Sequence, residues 1–238
     1  MNLDRHGWAC VFVALASLAA AVQAQALGDD GPEKDSGTTP LAQYGYGLFR
    51  SMDLSADGTR LVTGGGDGKA RLWDVDTGQV LRTFEGHAGW MNCAVFSHDG
   101  SRILTGGADE TARLWDVATG TMIQAFSGHT GGVTSAAFSP NGTHVITRAY
   151  NYVSRLWDVS SGAEIFSFTG SSYDVQYPFS PDGSMVVTGY GGDTKVWSVT
   201  TGTLIRTVPG KIEFVRNPFS SDGSKLLTVS GTTAKLWD

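Results

Sequence analysis

Four histidines, a glycine-rich loop and a series of Asp-Gly pairs are the features whose residue types could do chemistry in this chain. A metal needs three or four donors converging at short spacing. His98 and His144 instead lie in or beside the turns SHDG (97–100) and SPNG (139–142), and His87 and His129 stand 42 residues apart at matching places, so no metal site is predicted. GGGDGK (64–69) suggests a phosphate loop, but that loop requires Gly, four residues and then Gly-Lys, and position 63 is Thr63. It is read as a hairpin, equivalent to GGADET (106–111). The Asp-Gly pairs lack the alternating acids of a calcium loop and have the composition of turns. No GxSxG elbow or other nucleophile-base signature occurs. Asn141-Gly142-Thr143 has the form of a glycosylation acceptor but coincides with a turn. The expectation is a protein with no catalytic residues, no metal and no cofactor.

Composition agrees with a folded, turn-rich chain. Of 238 residues 32 are Gly and 41% are hydrophobic, and glycine is thus roughly twice as common as average usage. A formal charge of −6, from 17 Lys plus Arg against 23 Asp plus Glu, argues against nucleic acid as the main partner. Residues 1–26 read as an export signal: a polar start with Arg5, an apolar run from Trp8 to Val22, and small-residue cleavage options after Ala24 or Ala26. The run of 15 residues falls short of the ~20 that a bilayer span needs, so no stable membrane insertion is expected after cleavage. Residues 27–36 (LGDDGPEKDS) are acidic and aperiodic, a flexible leader. The mature, exported chain, periplasmic or extracellular, then keeps Cys93 as its single thiol.

The elements that must position any site come from an internal repeat. Trp73, Trp115, Trp157, Trp197 and Trp237 lie 42, 42, 40 and 40 residues apart, four followed by Asp and one by Ser198. Glycines eight residues apart recur five times, from Gly37/Gly45 to Gly202/Gly210, and a turn of the form SADG or SPDG ends at Gly58, Gly100, Gly142, Gly183 and Gly223. This gives units of about 37–77, 78–119, 120–161, 162–201 and 202–238. In the second unit QVLRTF (79–84), MNCAVF (91–96), RILTGG (102–107) and TARLWD (111–116) have the composition of short strands, and each unit is read as a four-stranded antiparallel meander. The basic residue two before each Trp (Arg71, Arg113, Arg155, Lys195, Lys235) suggests an ion pair with Asp74, Asp116 and Asp158.

Over residues 37–238 the chain resembles the WD-repeat β-propeller family, most clearly in EGH…FSHDG…ILTGGADETARLWD (85–116) and SGH…FSPNG…VITRAYNYVSRLWD (127–158). The resemblance implies an all-β fold: a propeller of five four-stranded antiparallel blades, its ring closed by pairing of the N-terminal strand (Thr38 to Gln43) beside Thr233 to Asp238 in the last blade. An open arc, a truncated longer propeller and closure between chains are the alternatives. A closed ring implies a monomer. The resemblance also implies a buried hydrogen-bond relay, complete in the second unit as His87, Thr105, Asp109 and Trp115 and close to complete in the third as His129, Thr147, Asn151 and Trp157. Units four and five keep only Thr188 with Trp197 and Thr228 with Trp237, which makes units two and three the expected most stable sector.

Partner contacts of such proteins fall on the narrow face, where the innermost strands begin. Mapped onto this sequence, those positions include Trp90, Asn92, Gly132, Thr134, Asp174, Gln176, Phe214 and Arg216, with Ala108 and Tyr150 just before the relay residues. Trp90, Tyr150, Phe214 and Arg216 have the aromatic and arginine character of interface anchors. The function implied is a non-catalytic scaffold binding a protein or peptide; a sugar- or small-ligand-binding propeller is the second reading, and an enzyme the third.

Overall fold

The computed structural model describes residues 48–169, 178–190, 192–212, 215 and 217–238. Among them there are strands and turns and no helix. The first sheet is β1 (Phe49–Leu54), β2 (Arg60–Gly65), β3 (Ala70–Asp74) and β4 (Val80–Phe84), in that spatial order and antiparallel throughout. The second repeats it with β5 (Met91–Phe96), β6 (Arg102–Gly107), β7 (Thr111–Asp116) and β8 (Met122–Ser127), and the third with β9 (Val133–Phe138), β10 (His144–Ala149), β11 (Val153–Asp158) and β12 (Glu164–Thr169). The fourth contains β13 (Met185–Tyr190), β14 (Asp193–Ser198) and β15 (Leu204–Pro209), with Phe179 bridging Val186 on the inner side. The fifth contains β16 (Leu226–Ser230) and β17 (Thr233–Trp237), with Phe219 bridging Leu226.

The repeat of the sequence and the repeat of the structure are offset by one strand. QVLRTF opens the second sequence unit, yet β4 pairs with β3 of the first sheet. The reading of each sequence unit as one meander is corrected accordingly. The reason is local: Asp74 and Gly78 close a tight turn that folds β4 back onto β3, with Gly78 N–H donating to Asp74 O at 2.9 Å, whereas 85–90 carries the chain to the next sheet.

The strands form where the pattern places them because the turns between them are chemically specified. In Ser-x-Asp-Gly the Asp99 carboxylate accepts from Ser97 Oγ at 2.6 Å and from the N–H of Ser101 at 3.0 Å, while Gly100 takes φ +67°. The same bonds recur around Asp57, Asp182 and Asp222, and Asn141 makes them in the third sheet.

The core lies between sheets. Leu72 and Phe84 of the first sheet pack with Met91, Ile103 and Trp115 of the second, and Leu114 and Phe126 pack in the same way with Val133, Val145 and Trp157. Trp115, Trp157 and Trp197 thus each meet a Phe near the end of the preceding sheet's outer strand, with ring centroids at 5.8 Å for Phe84–Trp115, 5.6 Å for Phe126–Trp157 and 4.9 Å for Phe168–Trp197. One sheet cannot bury its apolar residues alone, so the stacking is what makes each of them stable. The series breaks at the fifth sheet: Leu236 is 63% exposed where its counterparts Leu72, Leu114, Leu156 and Val196 are buried. The expected closing strand (38–43) lies outside the described residues, and among those described β17 pairs only with β16.

Candidate functional site

The tightest polar constellation is in the second sheet. Trp115 Nε1 donates to Thr105 Oγ1 at 2.9 Å, Thr105 Oγ1 lies 2.9 Å from His87 Nε2, and His87 Nδ1 lies 2.8 Å from Asp109 Oδ1. A hydroxyl that accepts from the indole gives its own proton to Nε2, which leaves Nδ1–H to donate to the carboxylate. Asp109 also accepts from the N–H of Ala88 and from Thr111 Oγ1, fastening the loop that enters β5 to the β6–β7 turn. Burial pushes the His87 pKa down, partly countered by Asp109, so the ring is neutral at pH 7. Burial works to raise the Asp109 pKa, but the bonds from His87, Ala88 and Thr111 outweigh it and keep the carboxyl ionised. Gly107 is required here, since a Cβ would collide with His87 Nδ1. The polar groups of this series are satisfied by one another, and they clamp the two segments together.

The third sheet departs from the expectation. Trp157 Nε1, Thr147 Oγ1 and His129 Nε2 are joined at 2.7 Å each, but Asn151 does not complete the series. Its amide donates to Thr130 Oγ1 at 3.0 Å and its Oδ1 accepts from the N–H of Val153, leaving His129 Nδ1 buried with no hydrogen-bond partner. The cause is chemical: a carboxylate accepts at both oxygens, whereas Asn has only one accepting oxygen, here taken by the backbone. Burial, with the charge of Arg155 in second place, lowers the His129 pKa to about 4. The remaining sheets retain the Trp–Thr bond, at 2.8 Å for Trp73–Thr63 and Trp197–Thr188 and 2.9 Å for Trp237–Thr228.

The basic residues two before each Trp do not pair with the Asp that follows it. Arg71 bonds Asp67 at 2.6 Å, Arg113 lies 3.4 Å from Asp109, Arg155 bonds Glu164, and Lys195 and Lys235 sit over the rings of Trp197 and Trp237. Residues three apart on a strand point to opposite faces, so Arg71 cannot meet Asp74. Asp74 and Asp116 cap the next turn instead, through Thr77 and Thr119.

Of the proposed partner residues, Trp90 and Tyr150 are 54% and 56% exposed and lie at the end of the sheets where the inner strands begin. The Arg50 guanidinium stacks over the Trp90 ring at 4.0 Å. Tyr150 shields Gly132, whose Cβ would come 3.3 Å from the Tyr150 ring. Asn92 is 8% exposed, and its amide donates to Val133 O of the next sheet at 3.0 Å, so it joins two sheets. Asp174, Gln176, Phe214 and Arg216 lie outside the described residues.

Two residues of this face were missed. Arg50 stands 42 residues before Asn92, so aligning the first repeat on the second would have found it. Tyr152, 47% exposed, adopts φ +61° at the position where the first sheet has Gly68, with Arg148 5.4 Å over its ring. A bulky residue held in the left-handed region costs about 1–3 kcal/mol, and such strain is concentrated at functional positions. No group of three His, Cys, Asp or Glu among the described residues is placed to hold a metal ion.

Stacked antiparallel sheets of up to four strands, each anchored by a Trp–Thr bond and the second fastened by a His-Asp clamp, define the class of WD-repeat β-sheet proteins. The family model for the WD domain, G-beta repeat, matches residues 40–74, 78–116, 120–158 and 162–198, and the chain belongs to this family. Among curated proteins it is similar to ribosome assembly protein 4 of Saccharomyces cerevisiae, 35% identical over 60 residues, which is 25% of this chain and 12% of that protein. It is also similar to mitochondrial division protein 1 of Emericella nidulans, 37% identical over 78 residues, 32% of this chain and 11% of the relative, and to the protein of that name from Aspergillus terreus at 38% identity. The matched stretch therefore spans only about a tenth of these relatives. Repeats of this family mediate protein–protein interaction, and the chain is assigned to that general scaffold class.

Proposed function

We propose that the protein is an exported, non-catalytic scaffold that captures a protein or peptide on the narrow face of a closed five-bladed propeller. The observation that carries this reading is the pair of exposed aromatics, Trp90 and Tyr150, held on a rigid frame beside the strained Tyr152. Rigid aromatic and arginine side chains supply large contact area at low entropic cost, which is the composition of interface hot spots. Arg50 stacked on Trp90 adds a preset orientation. The printed names of the matched relatives, a ribosome assembly protein and a mitochondrial division protein, are compatible with assembly roles but are joined to this chain through short segments.

Closure of the ring is supported by the match of residues 37–45 to the outer-strand segments of the later repeats, which makes them a spare strand for the last sheet. Export is supported by the apolar run of residues 8–22. No helix among the described residues is long and apolar enough to cross a membrane. The test is capture of partners from the envelope or medium of the source cell with the mature chain and with Trp90→Ala. Loss of the captured protein in a variant that remains folded supports the reading. Undiminished capture by the variant refutes it.

A further inference from the structure

At the end of the inner strands remote from Trp90, residues from all five units line one cavity of about 400 Å³. Small-ligand sites span roughly 300–1,000 Å³. Val95, Ala137, Phe138 and Phe179 give it a largely hydrocarbon wall, and Asp53 is the one carboxylate in its lining among the described residues. One side of the cavity is the end of β9, from Ala136 to Phe138. β9 is the innermost strand of its sheet: β10 covers one edge, and the other edge faces inward.

The second sheet shows what such an edge requires. Ala94 N–H donates to Ser51 Oγ at 2.9 Å and Phe96 N–H donates to Asp53 Oδ2 at 2.8 Å, so side chains of the first sheet occupy the inner edge of β5. Ala136 and Phe138 hold the same places in β9: they lie opposite Thr147 and Val145, as Ala94 and Phe96 lie opposite Thr105 and Ile103. The alternation of an antiparallel ladder therefore turns the N–H and C=O groups of Ala136 and Phe138 away from β10. Val95 stands where the first sheet has Asp53, and its methyl groups accept no hydrogen bond. No other described residue bonds the N–H of Ala136 or of Phe138. Two donors and two acceptors in a row, flanked by hydrocarbon, form the pattern that an extended main chain complements. They repeat at about 7 Å, the spacing of alternate residues in any strand.

We propose that this cavity takes a short, uncharged, extended peptide segment of about three residues, which adds to the free edge of β9. Its C=O groups accept from the N–H of Ala136 and Phe138, and its N–H groups donate to their C=O. Small apolar side chains of the segment lie against Val95 and Phe179. The site is separate from the Trp90 face and does not depend on partner capture there.

Titration of the full chain with acetyl-Ala-Val-Ala-amide, followed by amide NMR, tests the proposal. The Ala136 and Phe138 amide resonances should shift and gain protection from exchange, more than that of Ala137, which faces β10. The same peptide N-methylated at its main-chain amides keeps the hydrocarbon and loses the donors, and should bind at least about tenfold more weakly. Val95→Asp copies the first interface: its carboxylate takes the N–H of Phe138 as Asp53 takes that of Phe96, and peptide affinity should fall at least about tenfold. Should this variant not fold, the two peptides on the native chain decide alone. No shift at Ala136 and Phe138 in excess peptide, equal affinity for the N-methylated peptide, or undiminished binding to folded Val95→Asp each overturns the proposal.

Discussion

His87 Nδ1 lies 2.8 Å from Asp109 Oδ1, and through that bond the loop entering β5 is fixed to the β6–β7 turn. Removing the carboxylate leaves a buried N–H without an acceptor. Asp109→Ala is expected to cost about 2–3 kcal/mol in chemical denaturation, because a lost charge-assisted bond and a stranded donor add together. Hydrogen exchange should show the loss first in β6 and β7; an unchanged unfolding midpoint would refute the clamp.

The third sheet offers the reciprocal experiment. Asn151→Asp places a carboxylate within reach of the unpartnered His129 Nδ1. The expected outcome is a gain of about 1–2 kcal/mol and a rise in the His129 pKa measured by NMR. No gain in stability would refute the reading that an acceptor at position 151 can satisfy His129 Nδ1.

Stability should fall with acid in two stages. The folded His129 pKa is depressed from 6.5 to about 4, so the unfolded chain binds the proton more readily. Its contribution is complete above about pH 6.5 and is lost as the pH falls toward 4. His87, shifted in the same direction, adds to this first stage. The turn aspartates, depressed from 3.8 to about 2, stabilise fully above pH 3.8 and cease to do so as the pH falls to about 2. Denaturation midpoints between pH 8 and pH 2 resolve the stages, and Asn151→Asp should shrink the first.

Stability and binding should separate on the narrow face. Trp90→Ala is expected to change stability by less than about 1 kcal/mol, since the ring is half exposed, while partner capture is lost. Tyr152→Gly should leave stability equal or raise it by about 1 kcal/mol through relief of the positive φ. Asn92→Ala should do the reverse of Trp90→Ala: a cost of about 1–3 kcal/mol from the stranded Val133 carbonyl, with capture retained in the folded fraction.

Leu236 reports on the ring. If residues 38–43 cover β17, Leu236→Ala should cost about 2–4 kcal/mol, like the equivalent Leu114→Ala. A cost under about 0.5 kcal/mol would mean that the 63% exposure persists in solution and the ring is open. The mass from light scattering, monomeric for an internally closed ring, separates closure within one chain from closure between two.

The frame was legible in the sequence because it is repeated. Trp73, Trp115, Trp157, Trp197 and Trp237 set the period, and the Asp-Gly or Asn-Gly turns set the hairpins, since turn geometry depends on a few neighbouring residues. The strand MNCAVF was read at 91–96, and β5 occupies Met91–Phe96. The pairing of Arg71 with Asp74 was misread for want of the strand's own alternation, an error the period of two could have removed.

Local order therefore came from the sequence alone: the period of the repeat, its strands and its turns. The partners of Trp115 down to His87 and Asp109 were what the family resemblance implied, and the structure has them in place. Tertiary structure decided which sheet each strand joins, so that QVLRTF closes the first sheet although it opens the second repeat. It also decided that Asn92 bridges sheets while Trp90, two residues earlier, faces solvent, and that residues from all five units line one cavity. The physical reason is range. Turn geometry and side-chain type are properties of a few adjacent residues, whereas burial, an unpartnered imidazole nitrogen and a cavity exist only where segments 40 or more residues apart meet.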